Sequence, residues 1–236
     1  MKQALILALL ACLAPQESST EPAARKKEYP WMSVATWTGK HEAFLKRAKE
    51  GKIDLLFVGD SITEGWGRAK PVWDEHFGKY DPANFGIGGD RTQHVLWRID
   101  NGELDGITPK VVVLMIGTNN SGSPAEEITR GVKKIVSSIQ GKLPHAQIML
   151  LAIFPRGADP ATPAVANVRE KLKKVNDELA KMEDAKSIRY LDIGAKFLDA
   201  DGKIPNDIMP DALHPNAKGY QIWADAIQPL LDEMMK

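Results

Sequence analysis

The chain has 236 residues, of which 43% are hydrophobic and 26% charged, with 31 basic and 31 acidic side chains. That is enough for one α/β domain with a full core and an N-terminal appendage. A formal net charge of zero leaves none of the basic excess that nucleic-acid binders carry, and no general attraction to an anionic membrane surface.

The N-terminus begins with Met1-Lys2-Gln3, a short basic start, followed by an uninterrupted apolar run over residues 4–14. Residues 15–30 (PQESSTEPAARKKEYP) are polar and rich in Pro, Ser and Glu. The pattern predicts a secretory signal peptide over 1–20, a disordered linker over 21–35 and a domain over 36–236. A buried strand or helix is the alternative reading of the apolar run. The run is about half of the ~20 residues a bilayer span needs, so no integral membrane span is expected. Cys12, the only cysteine, rules out a disulfide framework and thiolate metal sites. Leu9-Leu10-Ala11-Cys12 is a poor match to a lipid-attachment sequence, and a plain apolar cysteine fits better. The expected location is periplasmic or extracellular, with lipid anchoring through Cys12 as a secondary reading.

Beyond the linker, apolar runs alternate with amphipathic stretches. A helix is predicted over 37–50, then a buried strand over 53–59 (IDLLFVG) and an inner strand over 84–87. A helix over 91–101 leads to a strand over 111–117 (VVVLMIG), and a helix over 124–141 to a strand over 147–154 (QIMLLAIF). A helix over 162–182, a short strand over 188–193 and a last helix over 216–235 complete the series. The strands are apolar on both faces, as parallel strands covered by helices must be. The fold class is therefore α/β: a three-layer α/β/α sandwich on a parallel five-stranded sheet, which binds ligands at the carboxyl ends of its strands.

Three of four chemically informative segments fall just past such strand ends. In Gly59-Asp60-Ser61-Ile62-Thr63, Ser61 is well presented and its own N–H can face a bound carbonyl; alone, it could equally be a helix N-cap. The absence of Gly-x-Ser-x-Gly separates this turn from the α/β-hydrolase elbow. In Asn84-Phe85-Gly86-Ile87-Gly88-Gly89-Asp90, clustered glycines let backbone N–H groups approach a ligand, and Gly89 is a candidate oxyanion donor; a tight strand-to-helix turn is the alternative. Gly-x-Gly-x-x-Gly spacing and a Walker lysine are both missing. Asn119, in Gly117-Thr118-Asn119-Asn120, carries an amide that can donate to an oxyanion or simply cap a turn. Asp211-Ala212-Leu213-His214-Pro215 offers a histidine base beside a carboxylate that can fix its tautomer. Pro215 keeps His214 out of helical geometry, just before the last helix.

In this order the four segments resemble the conserved blocks of the SGNH (GDSL-like) hydrolase superfamily, over roughly residues 50–235. Ser61, Gly89, Asn119 and His214 stand at its four named positions. Within it the likeness is greatest to the catalytic alpha subunits of intracellular platelet-activating factor acetylhydrolase. Residues 84–90, 93–98 (QHVLWR), 101–104 (NGEL), 113–120 and 155–157 carry that likeness. The resemblance implies a flavodoxin-like fold, no metal or cofactor, and hydrolysis of small acyl esters, often acetyl. It makes Ser61, Asp211 and His214 the catalytic residues and Ser61, Gly89 and Asn119 the oxyanion hole. Ile62, Thr118 and Leu213 match pocket positions of those subunits, and their bulk predicts a short acyl group. The subunits dimerise, so a homodimer is expected by analogy alone. Residues 63–67 (TEGWG) differ from those subunits, which leaves the alcohol half of the substrate open between a glycan and a lipid ester. A non-catalytic carbohydrate-binding module and an acetyltransferase on the same scaffold are the rival functions.

The remaining chemistry-bearing residues read as structural. His94 is expected to pack at a helix start, since no second ligand sits at metal spacing. Asp60 is expected to organise its loop rather than serve as the triad acid. Arg156 fits a salt bridge as well as a substrate contact. Trp66, Trp73 and Trp97 read as core, with Trp66 close enough to Ser61 to line the pocket. The segment 37–42 (WTGKHE) either covers the pocket or packs.

Overall fold

A computed structural model describes residues 18–236. The apolar run, Cys12 and most of the expected signal peptide lie outside the described residues. Five parallel strands form one sheet: β1 (Leu55–Gly59), β2 (Pro82–Gly86), β3 (Val111–Met115), β4 (Gln147–Leu151) and β5 (Ile188–Leu191). Their spatial order is β2-β1-β3-β4-β5, the flavodoxin-like order. β2 is thus an edge strand rather than the inner strand expected for 84–87. Its burial alternates in the first half, where β1 and β3 are buried at every position.

Among the described residues seven α-helices flank the sheet: α1 (Val34–Lys49), α2 (Ser61–Glu64), α3 (Lys70–Phe77), α4 (Thr92–Asp100), α5 (Ala125–Lys142), α6 (Pro163–Ala180) and α7 (Ala217–Met234). Because strand side chains alternate in direction, two cores form. Leu56, Val58, Val112 and Leu114 face α4, α5 and α6. Leu55, Phe57, Val113 and Met115 face α3 and α7, where Trp66, Phe77, Tyr220 and Trp223 form an aromatic layer. Helix α3 has no counterpart among the expected helices; eight residues ending at Phe77 give too short a periodic signal.

The stretch expected as a linker is instead a strap fixed to the domain. Ser19, placed in the expected leader, donates its N–H to Glu127 at 3.0 Å, and its carbonyl accepts from the Thr92 hydroxyl at 2.7 Å. Asn120 donates to the Ser19 hydroxyl at 3.0 Å. The Ala23 N–H reaches the Gln93 carbonyl, and Tyr29 and Met32 exchange both backbone bonds. The main anchor is Arg25, 2% exposed. It donates to the Gly88 carbonyl at 2.6 Å and to Asp90 Oδ1 at 3.1 Å. Composition alone misjudges such a segment, since its ordering cost is offset by many long-range contacts together: these backbone bonds, the buried Arg25 and the buried Met32.

Asp90 is the hub beneath the strap. It also accepts from Trp37 Nε1 at 2.7 Å and from Arg98 Nε at 3.0 Å, and Arg98 pairs in turn with Glu103. Burial pushes the Asp90 carboxyl up to about 6, against the pull of Arg98, Trp37 and Arg25. Its ionisation therefore costs stability as pH rises from the ordinary carboxylate range to about 6, and the arginines offset that cost. Replacing Arg25 with methionine should lower the unfolding free energy by about 3 kcal/mol at neutral pH. The deficit should shrink as pH falls through about 6 and Asp90 takes up its proton. Denaturant titrations at pH 7.5 and 5 measure both.

Candidate active site

The site lies where the sheet order reverses, between β1 and β3, the crevice expected to bind ligands in such folds. β1 ends at Gly59. A Cβ there would sit 2.5 Å from the Met115 carbonyl of β3, so only glycine lets the neighbouring strand ends and the following turn close up. Asp60 then caps α2, accepting from the Ile62 N–H at 3.0 Å. Its carboxyl is almost wholly buried, and burial pushes it up to about 7 despite that bond. Asp60 thus shapes the turn and presents Ser61 as the first helical residue.

His214 reaches Ser61 from the loop before α7. The Ser61 Oγ to His214 Nε2 distance is 2.8 Å, and His214 Nδ1 lies 2.6 Å from Asp211 Oδ2. Asp211 Oδ1 accepts the backbone N–H groups of His214 at 2.7 Å and Leu213 at 3.1 Å. Burial works to raise the Asp211 carboxyl, but the His214 side chain and the two backbone bonds outweigh it and hold it below the usual range. The loop is tight enough to put Ala212 at φ 55°, a conformation a residue with a Cβ rarely adopts. The Gly157 N–H donating to the Ala212 carbonyl at 2.9 Å fixes it. A hydroxyl, an imidazole and a carboxylate in line can move a proton from oxygen to nitrogen while the carboxylate fixes the ring tautomer.

Gly89 and Asn119 border the same cleft as Ser61, Asp211, Leu213 and His214, with a volume of about 900 Å³. Gly89 has φ 72°, which glycine adopts at little cost. Asn119 donates one amide hydrogen to the Asp90 carbonyl at 2.9 Å, leaving the second for a ligand. The Asp90 hub therefore holds both the Gly88 carbonyl, through Arg25, and the Asn119 side chain.

Several residues expected near the chemistry lie elsewhere. Ile62 is 1% exposed in the α3/α7 core, and Thr118 is buried with its carbonyl and hydroxyl taken by Arg156. Neither borders this cleft, and Trp66 faces the aromatic layer instead. His94 accepts the Arg91 N–H at the start of α4, and burial pushes it down to about 3. Among the described residues, no cluster of His, Cys, Asp or Glu is placed to hold a metal ion, and no helix is long and apolar enough to cross a membrane. The wall that spacing did not reveal comes from the strap and α1. Trp31, Met32, Thr36 and Lys40 border the cleft, Lys40 pairing with Glu64. Helix α1 thus both covers the site, through Thr36 and Lys40, and packs beneath it, through Trp37 and His41.

Residues 57–222 match the profile of the GDSL-like Lipase/Acylhydrolase family. The chain belongs to that family. It is similar to the platelet-activating factor acetylhydrolase IB subunit alpha1 of Homo sapiens, with 38% identity over 83% of this chain and 82% of that one. It is 39% identical to the alpha2 subunit of Rattus norvegicus over 85% of each. A solved putative acylhydrolase from Bacteroides fragilis shares the fold, with a TM-score of 0.69, 20% identity and coverage of 83% and 97%. A putative platelet activating factor protein of a pneumonia streptococcus does so with a TM-score of 0.65, 22% identity and coverage of 84% and 96%. A solved acetyl xylan esterase aligns with a TM-score of 0.59 at 19% identity, over 76% of this chain and the whole of that one. The GDSL chain described here is a carboxylic ester hydrolase.

Proposed function

We propose that this hydrolase cleaves short-acyl esters, acetyl above all, through an acyl-enzyme on Ser61. The observation that carries the reading is the unbroken line Ser61–His214–Asp211, with contacts of 2.8 and 2.6 Å. His214 takes the Ser61 proton as Oγ attacks the ester carbonyl, since an unassisted serine hydroxyl is a weak nucleophile. Asp211 stabilises the imidazolium. The N–H groups of Ser61 and Gly89 and the free amide hydrogen of Asn119 receive the oxyanion; a single such donor contributes about 3–4 kcal/mol. His214 returns the proton to the leaving alcohol. Water then repeats the sequence on the acyl-enzyme, releasing the acid and restoring Ser61.

Acetyl fits the site's chemistry. Leu213 is the apolar side chain that stands beside His214 in the cleft, and Ile62 and Thr118 are committed to packing. That arrangement gives a short acyl group an apolar wall beside the nucleophile. A fluorophosphonate, which reacts with activated serines, tests the reading. A single adduct at Ser61, found by peptide mass mapping, supports it. No adduct would mean that Ser61 is not the activated nucleophile.

A further inference from the structure

Trp31 is the exposed large apolar side chain of the described residues, at 59%, and it borders the catalytic cleft. The position is built, not incidental. One ring face stacks on Tyr29 at 4.9 Å and 22°. The ring edge lies so close to the glycine turn that a Cβ on Gly89 would meet it at 2.6 Å, and one on Gly88 at 3.4 Å. The backbone below is clamped by buried Arg25 holding Gly88 and Asp90. Trp31 therefore stands at the cleft wall beside the proposed oxyanion donor Gly89, within reach of an ester bound there. The cleft also carries the hydrogen-bonding side chains Thr36, Lys40, Glu64 and Arg68.

We propose that Trp31 is a specificity-determining residue: the platform on which the alcohol half of the substrate, a pyranose ring bearing the ester, stacks. The inference rests on the esterase reading above. The axial C–H groups of a pyranose carry partial positive charge and suit the negative face of an aromatic ring. Its hydroxyls need donors and acceptors at the rim, which the Lys40–Glu64 pair and Arg68 supply. A diacylglycerol-like or alkyl-ether alcohol would instead need a continuous apolar channel, and the charges of Lys40, Glu64 and Arg68 interrupt this lining.

The test compares kcat/KM on an acetylated methyl pyranoside, on ethyl acetate and on an acetyl glycerophosphocholine. The native enzyme should prefer the pyranoside to both. Replacing Trp31 with alanine should reduce the pyranoside-to-ethyl-acetate ratio at least tenfold, chiefly through KM. Trp31→Phe, which keeps a π face, should restore most of the ratio. Should the alanine variant misfold, Trp31→Leu gives the same comparison, since leucine keeps apolar bulk against Tyr29 without a π face. Three outcomes overturn the proposal: preference of the native enzyme for the phospholipid, no preference for the pyranoside, or an unchanged ratio, whether neither ester falls or both fall equally. The esterase reading fails separately, if Ser61→Ala retains ethyl acetate hydrolysis.

Discussion

Replacing Ser61 with alanine should lower kcat on p-nitrophenyl acetate by on the order of 10⁶-fold, about 8 kcal/mol of transition-state stabilisation. The size follows from what remains. Without Oγ no acyl-enzyme can form, and His214 has nothing to deprotonate except water held at a poorer distance. The Ser61 and Gly89 N–H groups and the Asn119 amide stay in place, so a residual rate above the spontaneous one is expected. The fold should not change. Asp60, not Ser61, caps α2, and the side-chain contact that Ser61 makes is to His214. Steady-state kinetics with a circular dichroism control decide the matter. Retention of more than about a hundredth of the native kcat would place the nucleophile elsewhere in the cleft.

The reason this serine can be singled out is topological. A serine after β1, an asparagine after β3 and a glycine turn after β2 are far apart in sequence. The β2-β1-β3 order brings their strand ends side by side. That much is readable from the sequence, because the runs that become β1, β3 and β4 are almost wholly apolar, and those of β1 and β3 end in glycine- or asparagine-containing turns. Their burial on both faces leaves few other assignments. The Asp211-to-His214 spacing is similarly local, and three residues suffice for one loop to supply base and orienter.

What escapes the sequence depends on partners far along the chain. Arg25 sits in a run of Pro, Ala, Lys and Glu that reads as solvated. Its burial depends on Asp90, 65 positions away. Trp31 and Met32 are an apolar pair in that polar surround, the one local hint that the strap docks. Ile62 shows the opposite failure. Position in a family motif places it beside the nucleophile, yet the helical turn that exposes Ser61 rotates its neighbour into the α3/α7 core. The edge position of β2 is also invisible to composition, since Phe85 is buried by α1 rather than by a flanking strand, stacking on Phe44 at 4.6 Å.

The same reasoning gives Asp211→Asn a large effect with a particular signature. In the native loop Asp211 accepts three hydrogen bonds, from the His214 ring and from two backbone N–H groups. An asparagine can keep the backbone bonds through its single carbonyl oxygen. Its NH₂ then faces His214 Nδ1 and favours the tautomer with the proton on Nε2, the nitrogen that must accept from Ser61. In enclosed triads this inversion costs about 10⁴ in kcat. Here the Asp211 side chain is 56% exposed, so water can compete for Nδ1 and restore some of the productive tautomer. A loss of about 10³- to 10⁴-fold is expected, smaller than that of Ser61→Ala, with KM on ethyl acetate little changed. Fluorophosphonate labelling should slow by a similar factor yet still reach Ser61. A loss under tenfold would mean that the backbone of the 211–214 loop, not the carboxylate, orients His214. The low setting of the Asp211 carboxyl gives a second check. It keeps the carboxylate charged to pH values below the usual range, so in the native enzyme the acid limb of kcat/KM should not be the titration of Asp211. Asp211→Asn should therefore lower the plateau without abolishing that limb.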